Sequence, residues 1–498
     1  MTDSNLKPKE VFPFSEVRAK LGESQTSDYI IKYLSKGHIP ELNAQTCVLE
    51  NEYIDRDFLV DFSKFYARSF DPIDKRTQRL HFFALQFSEQ EFDEILKEYN
   101  KESIEKLSNS YLGFAVIKPI QDTANNHLIG RTALKTYPKT CAGEGDEREY
   151  LKTSQPVSLF GIDLSVESVP FQRQDRAVAA CATIACWTTL HSLSKLYNTP
   201  LLSPYEITEM SVTFPGLHRN FPSEGLNIYQ IKNYYNNLGL ESELTDPSLI
   251  TQKEYYDPKK DDVVADLIKA YVKAEIPVIA TLNLSQEKSP ETKRFFDRVR
   301  SLLGFEITEQ LKHAVVITGY RHHNGKLSEI YLHDDQIGPY CKTNPIHDFR
   351  KWDNEWLRIF SSVDVEYLFT PLYPKIRLPF KDIYDPYLLA KRDFEADVKK
   401  NLRKEPQELG ISTELFLIGL NKYKNELLSS SFNRKSEILT KLFPRFVWIS
   451  RTQFLGVPIK DEVFDATKPY KKEDHIAFET INYSQEYIIE KIKNKVMP

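Results

Sequence analysis

The sequence predicts an α+β protein with antiparallel sheets. Within the central part of the chain helical segments come first and strand segments follow, and two apolar strands there flank an Asn324-Gly325 turn. This order favours segregated helices and an antiparallel sheet over alternating βαβ units, and Asn-Gly between apolar runs is a strong hairpin signal. The chain has 498 residues, of which 41% are apolar and 12% aromatic. That length corresponds to about three domains.

Composition excludes several classes of protein. Lys and Arg number 66 against 71 Asp and Glu, for a net charge of -5, so we expect no nucleic-acid partner. No apolar run reaches the ~18 residues of a membrane span, and the first residues lack the apolar core of a secretion signal. We therefore expect a cytoplasmic protein with no membrane partner. The five cysteines are few, odd in number and without a CxxC pair, which argues against a disulfide framework or a structural zinc site.

The first region, residues 1–165, is predicted to be an α+β unit of unknown role. Its patterns indicate helices over 57–70 and 89–108, and then strands over 111–120, 128–138 and, running into the next region, 157–171. Residues 141–150 (CAGEGDEREY) carry two glycines and five charges. We expect them to form a loop or a hairpin tip.

The second region, residues 166–375, is predicted to hold helices followed by a sheet. The patterns indicate a helix that begins at Cys181, helices over 226–239 and 262–274, and strands over 276–284, 313–322 and 328–335. The third region, residues 376–498, is predicted to be mainly helical with a short strand pair. Its helices are expected over 386–404, 413–430 and 483–495, and its strands over 444–455 and 462–467.

The central region contains the residue types that a thiol nucleophile requires. Cys181 stands at the start of a helical pattern, where unpaired backbone N–H groups and the helix dipole favour thiolate over thiol. Cys186 is the alternative nucleophile. It lies five positions further on, which places it inside the helix and turned away from Cys181. Cys181 is the preferred candidate.

A base and a carboxylate follow on the predicted hairpin. His313 opens the strand HAVVITGY, and Asp334 and Asp335 end the next strand. Because successive strand residues point to opposite faces, only one of the two carboxylates is expected to face His313, and Asp334 is preferred over Asp335. Gln174 precedes the cysteine and can present its amide N–H₂ to an oxyanion. Four other histidines compete as the base: His191, His322, His323 and His333. A metal site built from His322, His323, His333 and Asp334 is disfavoured, because no known zinc spacing matches it.

These residues together resemble the catalytic set of papain-like cysteine peptidases, in the variant typified by the bacteriocin-leader (double-glycine) peptidase domains and their stand-alone relatives. In that family a glutamine precedes the cysteine, the cysteine begins the central helix, and the histidine opens a strand. An Asp or Asn follows on the next strand, shortly before a glycine. Here His313 follows Cys181 by 132 positions, and HDDQIGPY places Asp334 four positions before Gly338. The resemblance covers residues 170–370 and implies a papain-like domain.

The chain differs from that family at three points. Six residues separate Gln174 from Cys181 where five are usual, so a turn or bulge is expected between them. Ala182 follows the cysteine where glycine is usual. The exporter-linked members are fused to transporters, and this sequence has no transmembrane pattern, so processing of exported peptides is not implied.

The resemblance implies hydrolysis of a peptide or isopeptide bond through a Cys181 thioester. His313 would carry the proton, Asp334 would fix its tautomer, and Gln174 would donate to the oxyanion. No cofactor is expected, the partner is a protein or peptide substrate, and partner proteins could bind the flanking regions. Two alternatives remain open: an acyltransferase, transglutaminase or deamidase with the same triad, and a binding protein that retains the fold without catalysis.

Overall fold

The computed structural model confirms an α+β protein with antiparallel sheets. It describes residues 7–35, 42–122, 125–140, 146–175, 177–178, 180–212, 225–285, 311–323, 326–346, 348–354, 357–360, 362–469 and 477–496. Within these residues every paired strand is antiparallel to its neighbour. Among the described helices, none combines the length and the apolar character that a membrane crossing requires.

The N-terminal region is built on a five-stranded sheet in the order β1-β2-β3-β4-β5. Its elements are β1 (Lys9–Pro13), α1 (Arg18–Leu21), α2 (Gln25–Tyr33), β2 (Thr46–Tyr53), α3 (Arg56–Lys64), β3 (Thr77–Phe83), α4 (Glu89–Glu98), α5 (Lys101–Asn109), β4 (Tyr111–Gln121) and β5 (His127–Leu134). The single helix expected over 89–108 is two helices. Tyr99 adopts a left-handed backbone (φ 48°) that ends α4, and the side chain of Asn100 caps α5.

Three further strands connect this sheet to the centre of the molecule. They are β6 (Asp146–Tyr150), β7 (Thr153–Leu159) and β8 (Ile162–Ser168), of which the last two form a hairpin. The expectation of a loop over 141–150 is wrong for β6, and residues 141–145 lie outside the described residues. β6 pairs with a central strand, and Gly319 permits the close approach, since a Cβ there would lie 2.5 Å from the Glu149 carbonyl oxygen.

The central region packs helices against an eight-stranded sheet. Its elements are α6 (Cys181–Tyr197), α7 (Pro204–Ser211), α8 (Ile228–Asn237), β9 (Glu241–Thr245), α9 (Pro247–Thr251), α10 (Val263–Lys273), β10 (Val278–Ser285), β11 (Leu311–His323), β12 (Lys326–Asp334), β13 (Gly338–Ile346), β14 (Asp348–Asp353) and β15 (Ser362–Leu372). Strands β10 to β15 follow one another in the sheet, and β15 pairs back onto β10, which closes these six strands into a barrel. β9 pairs with β15, and β6 pairs with the distal half of β11. The predicted hairpin of β11 and β12 is confirmed, although its Asn324-Gly325 turn lies outside the described residues.

Helix α6 is the buried centre of this region. Every residue from Ala182 to Leu193 is buried. A helix that is buried around its whole circumference is packed on all sides, and α6 packs in one cluster with α8 and with Ala314 and Val316 of β11. The start of α6 is thereby held against the strand that carries His313.

The C-terminal region contains more strands than predicted. Its elements are α11 (Phe380–Leu402), β16 (Ile411–Gly419), α12 (Leu420–Leu428), α13 (Lys435–Thr440), β17 (Phe446–Phe454), β18 (Val457–Asp465), β19 (Glu479–Asn482) and α14 (Gln485–Val496). The expectation of a short strand pair is wrong, because β16 to β19 form a four-stranded sheet beside the four described helices of this region. The helix expected over 413–430 is strand β16 followed by α12. Pairing with β17 along the whole of β16 overrides the helical propensity of TELFLIGL.

The three predicted regions share hydrophobic cores. The largest core of the central region includes Leu415, Leu417 and Trp448 from the C-terminal region. Tyr331 and Tyr340 of the central sheet lie in the core of the N-terminal sheet. Residues 166–375 therefore do not cover their apolar surfaces by themselves.

Candidate active site

Cys181 is the first residue of α6, as the sequence predicted. Its side chain is partly buried, and Ala180 before it supplies no side-chain cap to the helix. The backbone N–H groups of the first turn therefore face the thiol without a competing side-chain acceptor at the N-cap position, which favours negative charge there. Cys47, Cys181, Cys186 and Cys341 are free thiols, and Cys141 lies outside the described residues.

His313 is the third residue of β11 and pairs with Leu282 of β10. The imidazole is buried and forms hydrogen bonds with the Cys181 thiol and with Asp334. The Asp334 contact uses Nε2, which leaves Nδ1 for the sulfur. Burial by itself lowers the pKa of His313, but Asp334, the Cys181 hydrogen bond and Asp335 together hold it well above its usual value.

Asp334 is the carboxylate that binds the imidazole directly. Its Oδ1 lies 3.0 Å from Nε2 of His313 and also accepts a hydrogen bond from the backbone N–H of Gln336. Asp334 is fully buried at the end of β12, where it pairs with Gly338. Cys181, His313 and Asp334 thus form one continuous hydrogen-bonded chain.

Asp335 also approaches His313, and the expectation that only one carboxylate faces the imidazole is wrong. Its Oδ1 lies 3.7 Å from Nε2 of His313. The strand alternation fails because β12 ends at Asp334 and the chain turns immediately afterwards. Burial raises the pKa of Asp335 to about 7; His313 opposes this shift and the charge of Asp334 adds to it.

Gln174 lies in the segment that connects β8 to α6. We call residues 171–175 and 177–178 the pre-helix segment. Gln174 is partly buried there. Between it and Cys181 the Oδ1 of Asp175 accepts hydrogen bonds from the backbone N–H groups of Ala177 and Val178, at 3.0 and 2.9 Å. The expected turn or bulge falls partly on residues 176 and 179, which lie outside the described residues.

The alternative site residues lie in different environments. Cys186 is fully buried, and burial raises the pKa of its thiol to about 12, so it is not suited to act as a nucleophile. His191 packs edge-on against Trp187 inside α6. His333 is held by the Val169 carbonyl and the Tyr340 backbone N–H, and the other two competing histidines lie at the far end of β11.

Two features of the site escaped the sequence patterns. Gln172 shares the pre-helix segment with Gln174, but it is only 1% exposed, which places it out of reach of a substrate. Asp57 of α3 accepts a hydrogen bond of 2.9 Å from the Trp187 indole, so the N-terminal region contacts the helix of Cys181 directly. Only the three-dimensional contact of residues 130 positions apart could reveal this pair.

A metal ion is the other ligand that these donor atoms suit. His313, Asp334 and Asp335 each offer an atom within 4.8 Å of the others, and Oδ2 of Asp334 and Oδ1 of Asp335 accept no hydrogen bond from the described residues. An ion bound at Nε2 would replace the proton that His313 shares with Asp334. A proton relay accounts for the position of the Cys181 thiol beside the imidazole, whereas such an ion does not.

No protein-family model matches the chain, and no curated protein matches it significantly.

Proposed function

We propose that this protein is a cysteine peptidase-like thiol hydrolase of papain-like architecture, which cleaves a peptide or isopeptide bond. The observation that carries the proposal is the hydrogen-bonded chain from Cys181 through His313 to Asp334. A cysteine nucleophile requires a base within hydrogen-bond reach and a third group that orients the base, and each of these roles is filled. A helix packed on a closed six-stranded barrel, with the cysteine on the helix and the histidine on the barrel, supports the papain-like assignment.

In the acylation step the Cys181 thiolate attacks the carbonyl carbon, and a C–S bond forms. The carbonyl oxygen becomes an oxyanion, which accepts hydrogen bonds from the Cys181 backbone N–H and the Gln174 amide. When the oxyanion collapses, the C–N bond breaks and the His313 imidazolium gives its proton to the leaving amine. The products of this step are a thioester at Cys181 and a free amine.

In the deacylation step His313 takes a proton from water, whose oxygen attacks the thioester carbonyl. The C–S bond then breaks, the carboxylic acid leaves, and the thiolate–imidazolium pair is restored. The contact with Asp334 keeps Nε2 protonated throughout, so that Nδ1 remains the nitrogen that exchanges protons.

The test is the pH dependence of Cys181 alkylation by iodoacetamide, followed by peptide mass spectrometry. We expect Cys181 to be alkylated at neutral pH faster than free cysteine, and His313→Ala to slow this reaction. Cys186 is the internal control and should stay unmodified. Equal alkylation rates of Cys181 in the two proteins at every pH would contradict the proposal.

A second measurement tests acyl transfer itself. With p-nitrophenyl acetate we expect a burst of nitrophenolate, stoichiometric with protein and absent in Cys181→Ser. The burst should be unchanged by EDTA, whereas a metal at His313 would make it sensitive to the chelator. An added primary amine could also accelerate turnover. If it does so by more than the uncatalysed rate at which the amine itself cleaves the ester, the protein is a transferase with the same triad.

A further inference from the structure

The pre-helix segment is attached along its backbone to the N-terminal region. Thr132 of β5 exchanges two backbone hydrogen bonds with Phe171, at 2.7 and 2.8 Å. The N–H of Arg173 donates to the carbonyl of Ile129 at 3.0 Å. The chain that leads to Gln174 therefore follows β5 as a short added strand.

Side chains fix the residues on both sides of Gln174 to the same region. The Arg173 guanidinium lies 3.0 Å from Oδ2 of Asp122, just after β4. The hydroxyl of Tyr66 donates to Oδ2 of Asp175 at 2.7 Å. Both bonds involve a charged group in a partly buried position, where such bonds are stronger than on the surface.

Tyr66 is itself rigidly held. It lies in a short turn after α3, is buried, and packs with Phe58 of α3 and Val178 of the pre-helix segment. Its helix α3 also carries Asp57, which binds the Trp187 indole on α6. One element of the N-terminal region thus contacts both the glutamine-bearing segment and the cysteine-bearing helix.

We infer that the N-terminal region positions the oxyanion donor, with Tyr66 and Asp175 as the positioning residues for Gln174. This inference rests on the proposed function. The Asp175 carboxylate holds the backbone N–H groups of Ala177 and Val178 between Gln174 and Cys181, and Tyr66 fixes that carboxylate. Residues 1–165 are then a structural part of the active site and not a separable recognition module.

Two reactions of the same thiol separate positioning from folding. Acylation by p-nitrophenyl acetate passes through a tetrahedral oxyanion, whereas alkylation by iodoacetamide forms none. The measured quantity is the ratio of the acylation rate to the alkylation rate at Cys181 in the full chain. Gln174→Ala is the reference variant and should lower this ratio about tenfold or more, since a lost oxyanion donor costs about 10²–10³ in rate on natural substrates.

We expect Tyr66→Phe, which removes one hydroxyl, to lower the ratio about three- to tenfold with the alkylation rate unchanged. Arg173→Ala, which breaks the other attachment, should act in the same direction. Tyr33→Phe is the matched control, because its hydroxyl also makes a partly buried hydrogen bond within the N-terminal region, to the Lys135 carbonyl. Its ratio should equal that of the wild type.

Failure of the positioning role and failure of the proposed function give different results in these variants. If Gln174→Ala lowers the ratio while Tyr66→Phe and Arg173→Ala do not, the positioning role is wrong and the proposed function stands. If Tyr66→Phe lowers both rates together, its role is structural only, which also overturns the inference. If Gln174→Ala leaves the ratio unchanged, or no acyl-enzyme forms at Cys181, the error lies in the proposed function and the inference falls with it.

Discussion

The imidazole Nε2 of His313 lies 3.0 Å from Asp334 and 3.7 Å from Asp335, so two consecutive carboxylates face one buried histidine. Only Asp334 is within hydrogen-bond distance. Asp335 acts on His313 through its charge, and that charge depends on pH near neutrality, since burial raises the pKa of Asp335 to about 7. The two carboxylates therefore have different expected effects.

Replacing Asp335 by Asn should lower the pKa of His313. Above about pH 7 the wild-type carboxylate is charged and stabilises the imidazolium. Its removal therefore makes the imidazolium less stable. Below this pH Asp335 is protonated in the wild type, and Asp335→Asn should have little effect. NMR titration of selectively ¹³C-labelled histidines, with His313 assigned from a His313→Gln spectrum, measures the shift. Superimposable His313 titration curves would show that Asp335 does not act on the imidazole.

Replacing Asp334 by Asn should be more severe. The variant can donate to Nε2 instead of accepting from it, which reverses the tautomer and places the proton on Nδ1, the nitrogen that faces the thiol. We expect acylation by p-nitrophenyl acetate to fall by about 10²-fold or more. Asp335→Asn, the matched control, should lose less than about tenfold. Equal losses in the two variants would contradict the assignment of Asp334 as the orienting residue.

The contact between Trp187 and Asp57 should stabilise the docking of α3 on α6. Trp187→Phe removes the indole N–H and leaves the buried Asp57 carboxyl without that donor, at a cost of about 1–3 kcal/mol in the free energy of unfolding. Urea unfolding measures this cost. In an Asp57→Asn background the same replacement should cost less, because there is no charge to leave unpaired. Additive effects in the double variant would mean that the hydrogen bond carries no coupling energy.

Asp61 of α3 should make stability depend on pH. Complete burial raises its pKa to about 8, against the pull of Lys118 and of the Tyr205 backbone N–H. In the unfolded chain an aspartate titrates near ~3.9, so between there and about 8 the folded protein retains a proton that the unfolded chain has released. The contribution of this group to stability is therefore greatest at low pH and declines as pH rises through that window.

Asp61→Asn removes this dependence while keeping an oxygen for the Tyr205 N–H. The Tm of the variant relative to wild type should rise from about pH 4 to about pH 8 and then level off. Thr208→Val, at a buried residue that does not titrate, is the control and should give a flat difference. A flat difference for Asp61→Asn as well would mean that Asp61 is charged in the folded protein.

The fragment 166–375 should not fold independently. It lacks β6, which pairs with β11, and it lacks the residues of the C-terminal region that complete its largest core: Leu415, Leu417 and Trp448. Exposing those core positions to water costs more free energy than the total stability of a marginally stable domain. Thermal unfolding followed by circular dichroism should show no cooperative transition for the fragment. A transition like that of the full chain would show that the predicted boundaries define an independent domain.

Most of the central elements could be predicted from the sequence because their signals are local. The apolar run of α6, the periodicity of α8 and α10, and the Asn-Gly hairpin each lie within one short stretch of chain. The errors lie where pairing is non-local. Strand β6 is too charged to look like a strand, and β16 has a helical composition, yet each is held by a partner strand far away in the sequence.

The residues that could act were identifiable from the amino-acid sequence alone: a cysteine at a helix start, a histidine that opens an apolar strand and two aspartates that end the next one. These choices follow from residue chemistry and from the periodicity of single elements. How these groups meet depends on the packing of separate elements. The end of β12 turns both Asp334 and Asp335 toward His313, and Tyr66 reaches Asp175 across 109 positions of chain. Such distances depend on how separate elements pack, and no local pattern encodes them.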